Sequence, residues 1–122
     1  MILPALCSLL IVFASASLSA ADFLKPDEIK TLLEGKKLLV RVGSGSPFEV
    51  QLNIDGSTVT SALGGDTGAW RLSDDGYCAK WTKIRKGEEG CFRVGKNALL
   101  GLISYYVINT ADGSRTDIMR ID

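Results

Sequence analysis

The strongest constraint on the fold is a segment that carries two cysteines and the features of two adjacent β-hairpins. This segment, Gly68–Val94, contains Cys78, Cys91, both tryptophans of the chain and an Asp-Gly turn at positions 75 and 76. Residues that oppose each other on neighbouring antiparallel strands have Cα atoms about 4.5–5.5 Å apart, a separation that a disulfide can bridge. We therefore predict that a Cys78–Cys91 disulfide ties the two hairpins together.

The N-terminus predicts export, which supplies the oxidising compartment that a disulfide needs. Residues 1–21 carry no charged side chain, and the apolar run Leu9–Ala14 is followed by small residues. This order is typical of a cleavable signal peptide, and the apolar run is shorter than a membrane-spanning helix. We predict a signal peptide over residues 1–21 and a single β-rich domain over residues 22–122. The mature protein is then periplasmic or secreted, with no membrane association after leader cleavage.

Hydrophobic periodicity predicts one short helix followed by many strands. A helix over about 26–34 is indicated by Pro26 at its first position and by Ile29 and Leu33 on one face, with Gly35 after its C-terminus. From Leu38 onward the period changes to two, and repeated Asp-Gly turns separate seven or eight strands. We predict an α+β fold dominated by antiparallel β-structure, either a bent meander sheet or a small barrel.

The first hairpin supplies a candidate apolar surface. Residues 48–54 alternate between apolar and polar, and Asp55-Gly56 reads as a two-residue turn. That turn would place Leu52 opposite Val59. We expect the inner face either to belong to the core or to line a ligand cavity. Together with Trp70, which we expect in the core, its residues are Phe48, Val50, Leu52 and Val59.

The register of the second hairpin stays open at the level of sequence. A two-residue turn at Asp75-Gly76 would place Trp70 opposite Trp81. A three-residue turn with a glycine bulge would instead place Leu72 opposite Cys78. Because one step of register moves every side chain to the other face of the sheet, both directions remain open for Trp81.

The composition removes most enzyme chemistries from consideration. The chain has no histidine, which excludes Ser-His and Cys-His nucleophile pairs and histidine metal ligands. The two cysteines of the mature part are expected in the disulfide, which leaves no thiol nucleophile. Asp74 and Asp75 are candidates for a carboxylate-dependent hydrolase, but Asp before Gly is also typical of a turn. We predict no catalytic residue, no metal and no cofactor.

A basic strip beside the second hairpin is a candidate binding surface. Basic residues interleaved with an aromatic ring can bind a polyanion or a partner protein, and charges on an outer strand also prevent edge-to-edge aggregation. The net charge of the chain is zero, which gives no general attraction to nucleic acid. We therefore expect no nucleic-acid partner. The residues of the strip are Lys80, Trp81, Lys83, Arg85 and Lys86.

Residues of the helix and the central segment form a pattern, namely Asp27-Glu28-Ile29, Leu32-Leu33, Gly35, Gly68, Trp70, Gly76, Cys78, Trp81, Cys91, Phe92 and Val94. In this pattern, over about residues 23–94, the chain resembles an exported bacterial family common in rhizobia and catalogued as domain of unknown function 995. The resemblance implies a periplasmic or secreted bacterial protein and implies no catalytic or binding residue. The Gly-x-Trp element is also similar to that of calycin barrels such as lipocalins, which bind apolar ligands.

These observations favour a non-enzymatic exported domain that binds an unknown protein or small-molecule partner. The alternative is a calycin-like carrier of a small apolar ligand, and a carboxylate-dependent hydrolase is less favoured. A cavity under the first hairpin would support the carrier, whereas a filled core would support an interaction module. Two carboxylates facing each other across a cleft would support the hydrolase.

Overall fold

A computed structural model describes residues Phe23–Asp122 and shows one α-helix and eight strands. The predicted leader and its cleavage site lie outside the described residues. Two short 3₁₀ turns lie at Ala62–Gly64 and Ile84–Gly87. The regular elements are α1 (Pro26–Leu33), β1 (Lys36–Val42), β2 (Phe48–Leu52), β3 (Ser57–Thr60), β4 (Asp66–Leu72), β5 (Tyr77–Trp81), β6 (Glu89–Leu99), β7 (Leu102–Asn109) and β8 (Arg115–Ile121).

The eight strands form a closed antiparallel barrel. Each strand pairs with the next along the chain, and β8 pairs with β1 to complete the cylinder. Closure satisfies the hydrogen-bonding groups that an open sheet would expose at its two edges. The predicted fold class is confirmed, since one short helix precedes a mostly antiparallel structure with one disulfide. Of the two predicted architectures, the barrel is the one observed.

Helix α1 closes one end of the barrel. It begins at the predicted proline, and the Glu28 carboxylate accepts a hydrogen bond from the backbone N–H of Lys25 at 2.9 Å. Ile29 and Leu33 are completely buried and belong to the hydrophobic core inside the barrel. The chain leaves the helix through Gly35, whose φ of 77° favours glycine. We call this end, where β1 starts and β2 finishes, the closed end.

The predicted register of the first hairpin is wrong by one residue. The backbone N–H of Asn53 donates to the carbonyl of Ser57 at 2.9 Å and closes a three-residue turn, 54–56, so Leu52 pairs with Thr58 and not with Val59. The Asp55 carboxylate stabilises this longer turn by accepting the backbone N–H of Ser57 at 2.9 Å. Since one step of register exchanges the two faces, Val59 lies on the outside of the barrel and threonines take the inner positions of β3.

The second hairpin has neither of the two predicted registers. Its loop contains four residues, 73–76, so Trp70 pairs with Ala79 and Gly68 pairs with Trp81. With this register Trp81 lies on the inner face, in the wall of the barrel. The glycine opposite it is required because a Cβ atom at position 68 would collide with the backbone of Lys80.

The predicted disulfide joins the neighbouring strands β5 and β6. Cys78 and Cys91 are directly opposed, with Cα atoms 4.0 Å apart, and their sulfur atoms are bonded. Tyr77 and Ala79 line the interior, so the alternation of the strand places the disulfide on the outer side of the wall. The bridge closes the segment that contains the loop 82–88.

Four loops surround the end of the barrel opposite α1, which we call the open end. They comprise residues 43–47, 61–65, 82–88 and 110–114. Together these mouth loops carry three basic and two acidic side chains, and four of the five belong to the loop 82–88. The open end therefore has one charged loop beside three loops with little or no charge.

Candidate ligand cavity

A cavity of about 580 Å³ lies inside the barrel and opens between the mouth loops. Eight-stranded barrels have interiors that side chains fill or that hold one small ligand, and ligand cavities commonly measure about 300–1,000 Å³. Its wall is mostly apolar and is supplied by the inward-facing residues of successive strands. Those that the argument uses are Leu38, Val40, Phe48, Val50, Leu52 and Trp81.

The floor of the cavity is closed by large side chains near the closed end of the barrel. Leu38 and Leu52 are 2% and 1% exposed. Below them Trp70 lies in the core, where its indole N–H donates to the carbonyl of Asn53 at 2.8 Å. The Trp70 ring also packs edge-on against Tyr77, with ring centroids 6.5 Å apart. Trp70 therefore packs beneath the cavity floor and does not line the cavity wall.

Polar groups in the wall are satisfied by the backbone. The hydroxyl of Thr60 donates to the carbonyl of Glu49 at 2.7 Å. The hydroxyl oxygen of Ser61 accepts the backbone N–H of Glu49 at 2.9 Å. These side chains leave few unpaired polar groups towards the cavity, so its β2–β3 wall presents mainly hydrocarbon to a ligand.

The residues that we expected on an apolar inner surface fall into three groups. Phe48, Val50 and Leu52 line the cavity. Trp70 is buried in the core beneath it. Val59 lies outside the barrel and is 42% exposed, which corrects its expected place on the inner face. The three-residue turn before β3 accounts for this change.

The residues of the predicted basic strip do not share one face. Trp81 and Arg85 line the cavity, with Trp81 half-buried in the wall and Arg85 at the mouth. Lys80 lies on the outer side of β5, next to Glu89 in the strand pairing. The other two, Lys83 and Lys86, are exposed on the mouth loop and lie outside the cavity lining.

An aromatic group connects the charged mouth loop to the cavity wall. The rings of Tyr77 and Phe92 stack with centroids 5.2 Å apart, and the guanidinium carbon of Arg85 lies 5.4 Å from the centre of the Phe92 ring. Burial raises the pKa of the Tyr77 hydroxyl above its ordinary value, while the positive charge of Arg85 opposes that shift. Tyr77 and Phe92 line the cavity as well, although the sequence analysis did not predict a place for them there.

Asp66 holds the mouth loop that carries Arg85. Its side chain is buried, and Oδ2 accepts the backbone N–H groups of Lys83 and Ile84 at 2.9 Å each. Burial opposes the charged form, but N–H donors from Ile84, Lys83 and Thr67 outweigh it and lower the pKa of Asp66. The sequence analysis missed this residue because an Asp after two glycines reads as an ordinary turn residue.

The carboxylates considered for hydrolysis lie outside the cavity lining. Asp74 and Asp75 are exposed in the loop between β4 and β5, towards the closed end. Another carboxylate, Glu89, lies close enough to Cys78 and Cys91 to suggest a metal site by distance alone. The disulfide consumes both thiolates of that group, and Glu89 pairs with Arg71 at 3.0 Å.

A second apolar surface lies at the tip of the hairpin formed by β6 and β7. Its turn residue Leu100 is 93% exposed and has a φ of 54°. The neighbouring Leu99, Leu102 and Ile103 are 57–76% exposed. We call residues 99–103 the apolar tip.

Comparison with known proteins identifies no relative of this chain. The chain matches no protein-family model, no curated protein and no solved structure. The resemblance to the exported bacterial family therefore stays a prediction, and the functional argument rests on the barrel and its cavity.

Proposed function

We propose that this protein binds a small apolar ligand inside its barrel and acts as a carrier. The observation that supports the proposal is the cavity of about 580 Å³, which is lined mainly by apolar side chains and open at one end. Such a cavity leaves apolar surface exposed to water at one end of an otherwise packed domain. A ligand that replaces this water gains the free energy of burying hydrocarbon on both sides.

The size of this gain predicts how affinity depends on the ligand. Each methylene buried from water contributes about 0.8 kcal/mol, which corresponds to about a fourfold change in affinity. The inner residues of β1 from Leu38 to Val42 span about 13 Å along the strand. We expect the affinity for straight-chain alcohols to rise with each methylene until this length is filled, and then to level off.

A matched pair of variants tests the proposal directly. Val50 and Val59 lie on neighbouring strands, and only Val50 faces the cavity. Val50→Trp should fill the cavity and lower the affinity for the neutral dye Nile red at least tenfold. Val59→Trp adds the same ring on the outside and should leave dye affinity within about twofold of the parent protein. Dye fluorescence gives the affinity, and far-ultraviolet circular dichroism checks that both variants remain folded.

Two outcomes would contradict the carrier. One is that the parent protein does not bind Nile red or any alcohol of the series saturably. The other is that Val50→Trp and Val59→Trp lower affinity alike, since the dye would then lie outside the cavity.

The second candidate is a protein-interaction module, and the apolar tip favours it. Contiguous exposed apolar surface commonly marks an interaction site. If the tip mediates self-association, sedimentation velocity should show oligomers that Leu102→Lys dissociates. A monomer at all concentrations in both proteins would remove self-association as the role of the tip.

A further inference from the structure

We propose that the ligand is amphipathic, an aliphatic carboxylate whose chain fills the cavity and whose headgroup lies beside the β5–β6 wall, between Arg85 at the mouth and Tyr77 below it. This inference rests on the proposed function, because it assigns the chemistry of the same cavity. It specifies that the ligand carries a charged headgroup, and it assigns Arg85 and Tyr77 as the residues that determine specificity for that headgroup.

Arg85 is the cation that the cavity presents to a ligand. Of the three basic residues on the mouth loop, only Arg85 lines the cavity. The ion pairs found among the described residues involve other arginines, so no carboxylate lies within 4.0 Å of the Arg85 guanidinium. A guanidinium at the entrance of an apolar cavity is a preferred partner for a carboxylate, which it can bind through two parallel hydrogen bonds.

The protein positions this guanidinium by several independent contacts. Its carbon lies over the ring of Phe92, and a Cβ atom at Gly90 would lie 2.7 Å from the Nη1 atom of Arg85. The glycine therefore gives the guanidinium room against the barrel wall. Arg85 and Lys86 both have positive φ values, 58° and 56°, which are unfavourable for residues with side chains. Asp66 holds the preceding backbone of this loop.

Tyr77 supplies a second donor within the cavity. It lines the wall, stacks against the same Phe92 ring that Arg85 covers, and its hydroxyl makes no hydrogen bond to the described residues. A tyrosine hydroxyl carries its proton at neutral pH and can donate a hydrogen bond to an anion, and burial raises the pKa of Tyr77 further above that range. The cavity thus combines an apolar wall with two donors, a cation and a neutral hydroxyl.

One nearby carboxylate works against an anion at this position. Asp112 lies on a neighbouring mouth loop, and the charge of Arg85 contributes to lowering its pKa. The first cause of that lowering is the backbone N–H of Ser114, which donates to the Asp112 carboxylate at 2.9 Å. Asp112 lies outside the cavity lining, so Arg85 remains the charged group that faces the ligand.

The test compares two ligands that differ in the headgroup alone. Dodecanoate and dodecanol have the same chain, and isothermal titration calorimetry at neutral pH and low salt measures the affinity of each. We expect the parent protein to bind dodecanoate at least tenfold more tightly than dodecanol. Arg85→Gln should remove this preference by lowering the dodecanoate affinity at least tenfold more than the dodecanol affinity. Tyr77→Phe, which keeps the ring contacts, should reduce the preference by about threefold to tenfold.

Lys86→Gln is the matched control. It removes a positive charge from the adjacent position of the same loop, where φ is also positive, but it does not alter the cavity lining. It should preserve the preference for dodecanoate. Equal binding of both ligands by the parent protein would overturn the headgroup assignment and leave the apolar carrier intact. If Arg85→Gln and Lys86→Gln lowered the preference for dodecanoate equally, Arg85 would contribute only general electrostatic attraction and the headgroup assignment would be wrong. If the parent protein bound neither ligand, the proposed function itself would be contradicted.

Discussion

The two ends of the barrel both carry aliphatic side chains, but these are buried at one end and exposed at the other. At the closed end, Ile29 and Leu33 of α1 are completely buried beneath a packed floor. At the open end, Leu63 is 88% exposed and Val42 is 52% exposed, although both line the cavity. The buried apolar side chains of α1 at the closed end therefore stabilise the fold, whereas the apolar side chains at the open end remain exposed and can contact a ligand.

The largest effect that the comparison predicts is a difference between two leucines. Leu33→Ala should lower the free energy of unfolding by about 2–5 kcal/mol, because it leaves a void in the core. Leu63→Ala removes the same atoms from an exposed position and should change it by less than about 0.5 kcal/mol. Urea unfolding followed by tryptophan fluorescence measures both. Similar losses in the two variants would contradict the assignment of stability to the closed end.

The disulfide should contribute an intermediate effect. Replacing Cys78 and Cys91 together by serine should lower the free energy of unfolding by about 2–4 kcal/mol, since the bridge restricts the unfolded chain. The barrel should persist, because the strands pair along their length and not only at the bridge. Circular dichroism and urea unfolding check both parts. Oxidised parent protein should show no free thiol in its described part, and two reactive thiols there would contradict the bridge.

The smallest predicted effect is local and depends on pH. The pKa of Asp66 in the folded protein is lowered from its ordinary 3.8. The stability that its carboxylate gives to the mouth loop is therefore complete above pH 3.8 and is lost as the pH falls through the lower pKa of the folded state. The amide resonances of Lys83 and Ile84 should therefore titrate with a midpoint below pH 3.8, while those of α1 should not follow it. In Asp66→Asn the titration should be absent. A midpoint at or above 3.8 would show that the mouth loop is not held by the ionised carboxylate.

The closed end was largely predictable from the sequence because its signals are local. Proline, the apolar stripe and Gly35 mark the helix within ten residues, and opposed cysteines mark the neighbouring strands. The cavity was less predictable because it depends on register. A turn of three residues in place of two moved Val59 outside, and neither turn considered for the second hairpin was the one observed.

The mouth was predictable only in part because its contacts are distant in sequence. Arg85 and Trp81 were recognised as candidate binding residues, but as members of a basic strip for a polyanion or partner protein and not as part of a cavity. The hydrogen bonds from Lys83 and Ile84 to Asp66 join residues 17 and 18 positions apart, and no periodicity reports them. The approach of Arg85 to Phe92 is closer in sequence, but it depends on the positive φ values of Arg85 and Lys86, which the sequence does not indicate.

The most direct test of the central claim is a titration of isotopically labelled protein with dodecanol, followed by methyl resonances. Dodecanol is neutral, so the result does not depend on the headgroup assignment. We predict saturable shifts for the cavity methyl groups of Val40 and Val50, with little change for Ile29 and Leu33 at the closed end. Shifts confined to the apolar tip, or no saturable shift at Val40 and Val50, would contradict a ligand site in the barrel.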